Sequence, residues 1–360
     1  MFLFSLHAII SYMKDETKKT LLNVGKFLSK TAMAVFPYAL ADVAYKKVFY
    51  HHTYSNPLQG FLNEDFPELI ADKSAFKSNG NTLVGYYYHY QKFDKSKIII
   101  FAHGYGNGHH RYLDIINYLA SKGFLVFSYD VTSFDESEGD GIFGFTQGPV
   151  DLIQAIEHVK QDKKYKDKNI ILMGHSMGGL SVGIATNLYP NISKAILISS
   201  FDKSSSLIRQ HGYEWAGERI KSNVEYVEEY EEFRFGDISK YTVSEGLQNY
   251  KGRALIIHSE DDQTVPIDIG LNYYQKVLGK KDNIEYIKLK DAGHGNVYYS
   301  KAGRVYFDEL AKNYWKYLKD KKQQTKEDER NLFNLLVDKS KWLDMLNYPL
   351  MDEIIDFIRH

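Results

Sequence analysis

Three residues stand where their types and order could carry out nucleophilic chemistry on a carbonyl. The run Gly174-His175-Ser176-Met177-Gly178-Gly179 follows the apolar stretch 169–173 and precedes a helical pattern. A serine on so tight a strand-to-helix turn is held in strained backbone geometry with its Oγ exposed. Gly174 and Gly178 are required because side chains there would collide across the turn. The helix start offers free N–H groups and a favourable dipole to a developing oxyanion, which makes the Met177 N–H a candidate donor. A serine hydroxyl needs a base, and the base needs a carboxylate to fix its tautomer. Ser259-Glu260-Asp261-Asp262 follows the apolar run ending at His258, and Asp291-Ala292-Gly293-His294-Gly295 follows the next strand pattern. Of the 13 histidines, only His294 and the terminal His360 lie beyond both serine and acid. Asp261 and Asp262 compete as the acid. Counting back from Val265-Pro266, which would open the next helix, favours Asp262. A second N–H donor is expected at His103-Gly104-Tyr105-Gly106, at the backbone of Tyr105. His103 itself reads as a packing residue beneath that loop.

The elements that must bring these loops together are visible as periodicities. Apolar runs at 97–102, 124–129, 169–173, 194–198 and 253–258 have the pattern of strands buried on both faces. The run 284–289 alternates, as an edge strand does, and the tyrosine-rich 82–90 reads as an early antiparallel strand. Helical patterns at 110–122, 148–161, 177–189, 267–279 and 304–319 separate most of them. This alternation predicts an α/β fold, with a mostly parallel central sheet covered by helices on both faces. The interval between Ser199 and Tyr250 shows no clean strand and suits a small helical cap. The expected organisation is a helical N-terminal extension over 1–78 and a catalytic body over 79–320, with the cap at about 200–250. Helices over 321–360 would pack on the body through Trp342, Leu343, Leu346, Leu350, Ile354, Ile355 and Phe357.

On these motifs the chain resembles the alpha/beta-hydrolase superfamily over roughly residues 80–320. The run from His103-Gly104-Tyr105-Gly106 to His109-His110-Arg111-Tyr112 is similar to the oxyanion-loop segment of the monoacylglycerol lipase and serine-aminopeptidase-like branch. Asp130 and Ser137-Glu138-Gly139 also match that branch. Thr132, Ser133 and Asp135 stand where Arg, Gly and Gly are usual, and Ser259 replaces the usual Gly of the acid motif. Arg111 and Asp130 read as structural residues that hold the loop. The resemblance implies an enzyme that works through an acyl-serine.

Composition narrows the alternatives. With 45 basic and 46 acidic residues, no net field draws the chain to nucleic acid. The absence of cysteine excludes disulfides, thiolate metal sites and a thiol nucleophile. No P-loop, dinucleotide or H-E-x-x-H pattern occurs, and the pairs His51-His52 and His109-His110 do not share a helical face. No cofactor and no metal is therefore expected. The apolar start Met1 to Met13 is too short to span a membrane and lacks a basic head, so a cytoplasmic location is expected. Leu21, Val24, Leu28, Ala32 and Val35 oppose Lys19, Lys26 and Lys30 on a helical wheel. Residues 19–35 thus read as a helix docked on the body, with membrane-surface contact as the less favoured alternative. Glu225, Glu228, Glu229, Glu231 and Glu232 read as a solvated helix face, the alternative being recognition of a substrate amine. The expectation is a serine hydrolase acting on a small or lipid-like carboxylic ester, as a carboxylesterase or monoacylglycerol-lipase-like enzyme. A peptidase or amidase, a thioesterase and a non-catalytic binding protein are the alternatives, and the oligomeric state is open.

Overall fold

The computed structural model describes residues 42–43, 45–55, 60–216, 221–319 and 326–360. The amphipathic stretch 19–35 lies outside them. Among the described residues, no helix is long and apolar enough to cross a membrane.

Eight strands form one sheet: β1 (Ile70–Ser78), β2 (Asn81–His89), β3 (Lys97–Ala102), β4 (Val126–Tyr129), β5 (Asn169–His175), β6 (Lys194–Ile198), β7 (Arg253–Ser259) and β8 (Ile284–Leu289). Their order is β1-β2-β4-β3-β5-β6-β7-β8. The first three pair antiparallel and β4 onward pair parallel. The helical reading of 1–78 fails at its end, because 70–78 is β1. It pairs along its whole length with β2 through a turn at Asn79-Gly80, both with positive φ. Its sequence is half exposed and lysine-rich, as an outer strand is, so it lacks the apolar run that marked its neighbours.

Strand pleating sorts the apolar runs onto two cores. Ile98, Ile100 and Ala102 face one side with α2 (Gln147–Gln161) and α3 (Met177–Leu188). Ile99 and Phe101 face the other with α1 (Leu113–Ser121). The cap interval holds α4 (Ser204–Ala216), α5 (Lys221–Phe235) and α6 (Val243–Asn249). The last belongs to the body: a Cβ on Gly183 of α3 would lie 2.5 Å from Val243, so the two helices touch backbone to side chain. After α7 (Leu271–Leu278) come α8 (Lys301–Lys319), α9 (Lys326–Leu336), α10 (Lys339–Asp344) and α11 (Tyr348–Arg359). Phe307, Phe333, Trp342, Leu350, Ile354 and Ile358 bury into the second core.

Candidate active site

Ser176 follows β5 with φ 57° and ψ −116°, a backbone conformation few side chains adopt. The turn is compressed: a Cβ on Gly174 would sit 2.3 Å from the Gly178 oxygen, and one on Gly178 would sit 2.0 Å from the Ala102 oxygen. Ser176 Oγ lies 2.9 Å from His294 Nε2, and His294 Nδ1 lies 2.7 Å from Asp262 Oδ2. The three groups come from the carboxyl ends of β5, β8 and β7. All three residues are buried. The carboxylate can only accept, so His294 Nδ1–H donates to it and Nε2 is left to accept from the serine hydroxyl.

Asp262 is held on all sides. Its Oδ1 accepts from Thr264 N at 2.9 Å and Val265 N at 2.8 Å. His258, wholly buried four residues upstream, donates from Nε2 to the Val265 oxygen at 2.8 Å and lies 3.3 Å from Asp262 Oδ2. Burial alone would raise this carboxyl. The facing His294 and the His258 and His294 hydrogen bonds outweigh it, holding Asp262 well below the usual carboxylate range. The neighbouring Asp261 has a separate task. Ser259 Oγ accepts from Ala292 N at 2.8 Å and donates to Asp261 Oδ1 at 2.6 Å, and Asp261 Oδ1 also accepts from Gly293 N at 2.8 Å. The serine that replaces a glycine in the acid motif therefore ties the acid loop to the histidine loop.

Neither the Tyr105 nor the Met177 N–H has an acceptor among the described residues. The peptide carrying the Tyr105 N–H is oriented from its other end. His103 Nδ1–H donates to the Gly104 oxygen at 2.7 Å, and His103 Nε2 accepts from Val131 N at 2.9 Å. The peptide unit is planar and trans, so fixing its carbonyl aims its N–H to the opposite side. Burial keeps His103 neutral by lowering its pKa. Asp130 and His109 form a buried pair at 2.7 Å, with the Asp130 carboxyl at about 2: burial would raise it, but His109 pulls it down. Arg111 Nη1 donates to the Tyr299 hydroxyl at 2.9 Å.

The first core rises into an aromatic wall beside Tyr105. Its ring centroid lies 5.9 Å from Phe49 and 5.7 Å from Phe145, and Phe145 lies 5.5 Å from Phe201. The Tyr105 hydroxyl donates to the Val48 oxygen, so residues 45–50 belong to this wall. Tyr226 bonds Asp42 and Tyr230 bonds Tyr50, while Phe233 is 88% exposed. His211 of α4 donates from Nε2 to the Thr264 oxygen at 2.7 Å, joining the cap to the acid loop.

The solvated-face reading of the cap acids fails at Glu231, which is buried. It accepts from Tyr45 Oη at 2.9 Å, Ser204 Oγ at 2.6 Å and Thr146 Oγ1 at 2.7 Å. Helical periodicity alone could not find it, because the segments that cover that face come from distant parts of the chain. Among the described residues, no cluster of His, Asp and Glu has the form of a metal site.

A family model described as serine aminopeptidase, S33, matches residues 94–222. Monoglyceride lipase of Mus musculus is 30% identical over 139 residues, which are 38% of this chain and 43% of that protein. Lysophosphatidylserine lipase of Danio rerio is 26% identical over 199 residues, 51% of this chain and 48% of that protein. The chain thus spans less than half the length of either lipase. Among solved structures, an esterase of Pyrococcus furiosus superposes with a TM-score of 0.52 at 19% identity, covering 75% of this chain and 98% of that one.

Proposed function

We propose that this chain, an alpha/beta hydrolase resembling the monoglyceride lipase and S33 serine-aminopeptidase branch, is a serine hydrolase that cleaves carboxylic esters. The reading rests on the hydrogen-bonded series Asp262–His294–Ser176 at three strand ends, beside two N–H groups without an acceptor among the described residues. Ser176 Oγ attacks the ester carbonyl carbon while its proton passes to His294 Nε2. The oxygen of the tetrahedral intermediate lies between the N–H groups of Tyr105 and Met177. Collapse breaks the bond to the alkoxy oxygen, and the proton on His294 leaves with the alcohol. A water then gives its proton to His294 and attacks the acyl-enzyme, releasing the acid and restoring Ser176. Asp262 holds the imidazole tautomer and stabilises the transient imidazolium.

The aromatic wall of Phe49, Tyr105, Phe145 and Phe201 favours an apolar acyl or alcohol group. Glu231, the buried acid of the cap interval, is engaged by three hydroxyls and so does not itself favour a substrate amine. A fluorophosphonate should label wild type at Ser176, and Ser176→Ala should lower kcat on p-nitrophenyl butyrate by about 10⁴-fold or more. An unlabelled wild type, or a fully active Ser176→Ala, would refute the reading.

A further inference from the structure

The groups assigned to the oxyanion and to the base come from opposite parts of the sheet. The loop after β3 carries Tyr105 and the loop after β8 carries His294, with β5, β6 and β7 between their strands. Their spacing must nonetheless hold to a fraction of an ångström, since a misplacement of about 1 Å costs roughly 100-fold in rate.

One continuous set of hydrogen bonds spans that gap. Gly104 N lies 3.2 Å from Tyr112 Oη, Tyr112 Oη lies 2.8 Å from His175 Nδ1, and His175 Nε2 lies 2.9 Å from the His294 carbonyl oxygen. The chemistry of the two ends fixes the direction of every bond. An amide N–H can only donate, so the Tyr112 oxygen accepts from Gly104 and gives its single proton to His175 Nδ1. A carbonyl can only accept, so His175 carries its proton on Nε2 and donates to His294. The set closes only when His175 is neutral. Burial, and then the neighbouring His294, push the His175 imidazole down to about 3. The geometry also needs a glycine at 104, where a Cβ would lie 2.9 Å from Tyr112 Oη and 3.3 Å from His175 Nδ1. The His175 and His294 rings stand 4.9 Å apart, so a neutral His175 spares the base a like charge when it takes the serine proton.

We propose that Tyr112 and His175 are positioning residues, a hydrogen-bonded strut that fixes the distance between the oxyanion loop and the loop of the base. This role rests on the serine-hydrolase reading. Neither residue touches the reacting atoms. Tyr112 lies outside the oxyanion turn, and His175 directly precedes Ser176 at the end of β5.

The test measures kcat and KM on p-nitrophenyl butyrate per active site titrated with fluorophosphonate, which removes any loss from misfolded molecules. Tyr112→Phe and His175→Ala should each lower kcat per titrated site by about 10- to 100-fold with KM within about twofold. The double variant should be no worse than the poorer single one, because either change breaks the same strut. His175→Gln, whose amide can still donate to the His294 carbonyl, should recover part of the loss. Unchanged kcat per titrated site, or losses that multiply in the double variant, would overturn the proposal. Should wild type take no fluorophosphonate, the serine-hydrolase reading falls by itself. The strut is then judged by NMR, where the downfield His294 Nδ1–H resonance must shift or broaden in Tyr112→Phe, and an unmoved resonance would sink it.

Discussion

Ser176 and Glu231 are both held in states they would not choose alone, and both depend on partners from far along the chain. The strained backbone at Ser176 costs on the order of 1–3 kcal/mol and is imposed by glycines that let β3, β5 and α3 approach. Glu231 is a carboxyl taken out of water. Burial raises it above its ordinary value, and the hydroxyls of Ser204, Thr146 and Tyr45 offset this only in part. The folded state therefore binds the Glu231 proton more tightly than the unfolded state. The stability this contributes is complete below the ordinary glutamate value and is lost as pH rises through the folded value. Glu231→Gln cannot ionise and keeps an acceptor for the hydroxyls. Its thermal midpoint should exceed that of wild type at about pH 8 and converge with it at about pH 4. Glu231→Ala strands the Ser204 and Thr146 hydroxyls, while Tyr45 keeps the Phe143 oxygen as acceptor, and should lose about 2 kcal/mol or more at both values, measured by thermal unfolding.

At the scale of elements, the departures from the pattern of the branch this chain resembles have a structural use. Ser133 and Asp135 keep the positive φ that glycine would supply, at 67° and 40°. Their side chains hold the segment 51–55 instead. Ser133 Oγ donates to the His51 oxygen at 2.9 Å, and Asp135 accepts from Ser55 N at 2.6 Å and Ser55 Oγ at 2.5 Å. That segment leads from residues 45–50, which line the aromatic wall. Asp135→Gly relieves about 1 kcal/mol of backbone strain but removes two bonds to a charged acceptor. The expected net loss is about 2 kcal/mol, with faster hydrogen exchange at the Thr53 and Ser55 amides. Unchanged exchange there would show that the segment is held by other contacts. Sequence pattern identified Asp135 as unusual, but its partner is remote in the chain and could not be read from spacing.

At the scale of the molecule, the C-terminal helices complete the second core. Lys194 Nζ donates to the oxygens of Phe357 and Ile358, and Lys97 Nζ to those of Ile358 and Arg359. Two lysines at strand starts thus close the last turn of α11, where a helix carries its partial negative charge. Trp342 Nε1–H donates to the buried Asp114 at 2.9 Å. A chain ending at residue 325 would expose the face that Leu332, Phe333, Trp342, Met351, Ile354 and Ile358 cover. At about 2 kcal/mol per buried side chain, these six account for about 12 kcal/mol, comparable with the ~5–15 kcal/mol of a typical domain. The truncated chain should be insoluble or show no cooperative thermal transition, and a normal transition would contradict this account.

The sequence alone determined what is local and periodic. Apolar runs of strand length alternating with helical patterns specified the mostly parallel sheet, and glycines around Ser176 specified a sharp turn. Chain order singled out His294, and the count back from Val265-Pro266 favoured Asp262 over Asp261. It missed β1, whose half-exposed composition carries no apolar signal, and it left Glu231 on a solvated face. Only the tertiary structure decided the 2.9 and 2.7 Å spacings of the three site residues, the burial of Glu231, and the strut from Gly104 to His294. These depend on which distant segments cover a surface and on the direction of each hydrogen bond. Neither has a period that a linear chain displays.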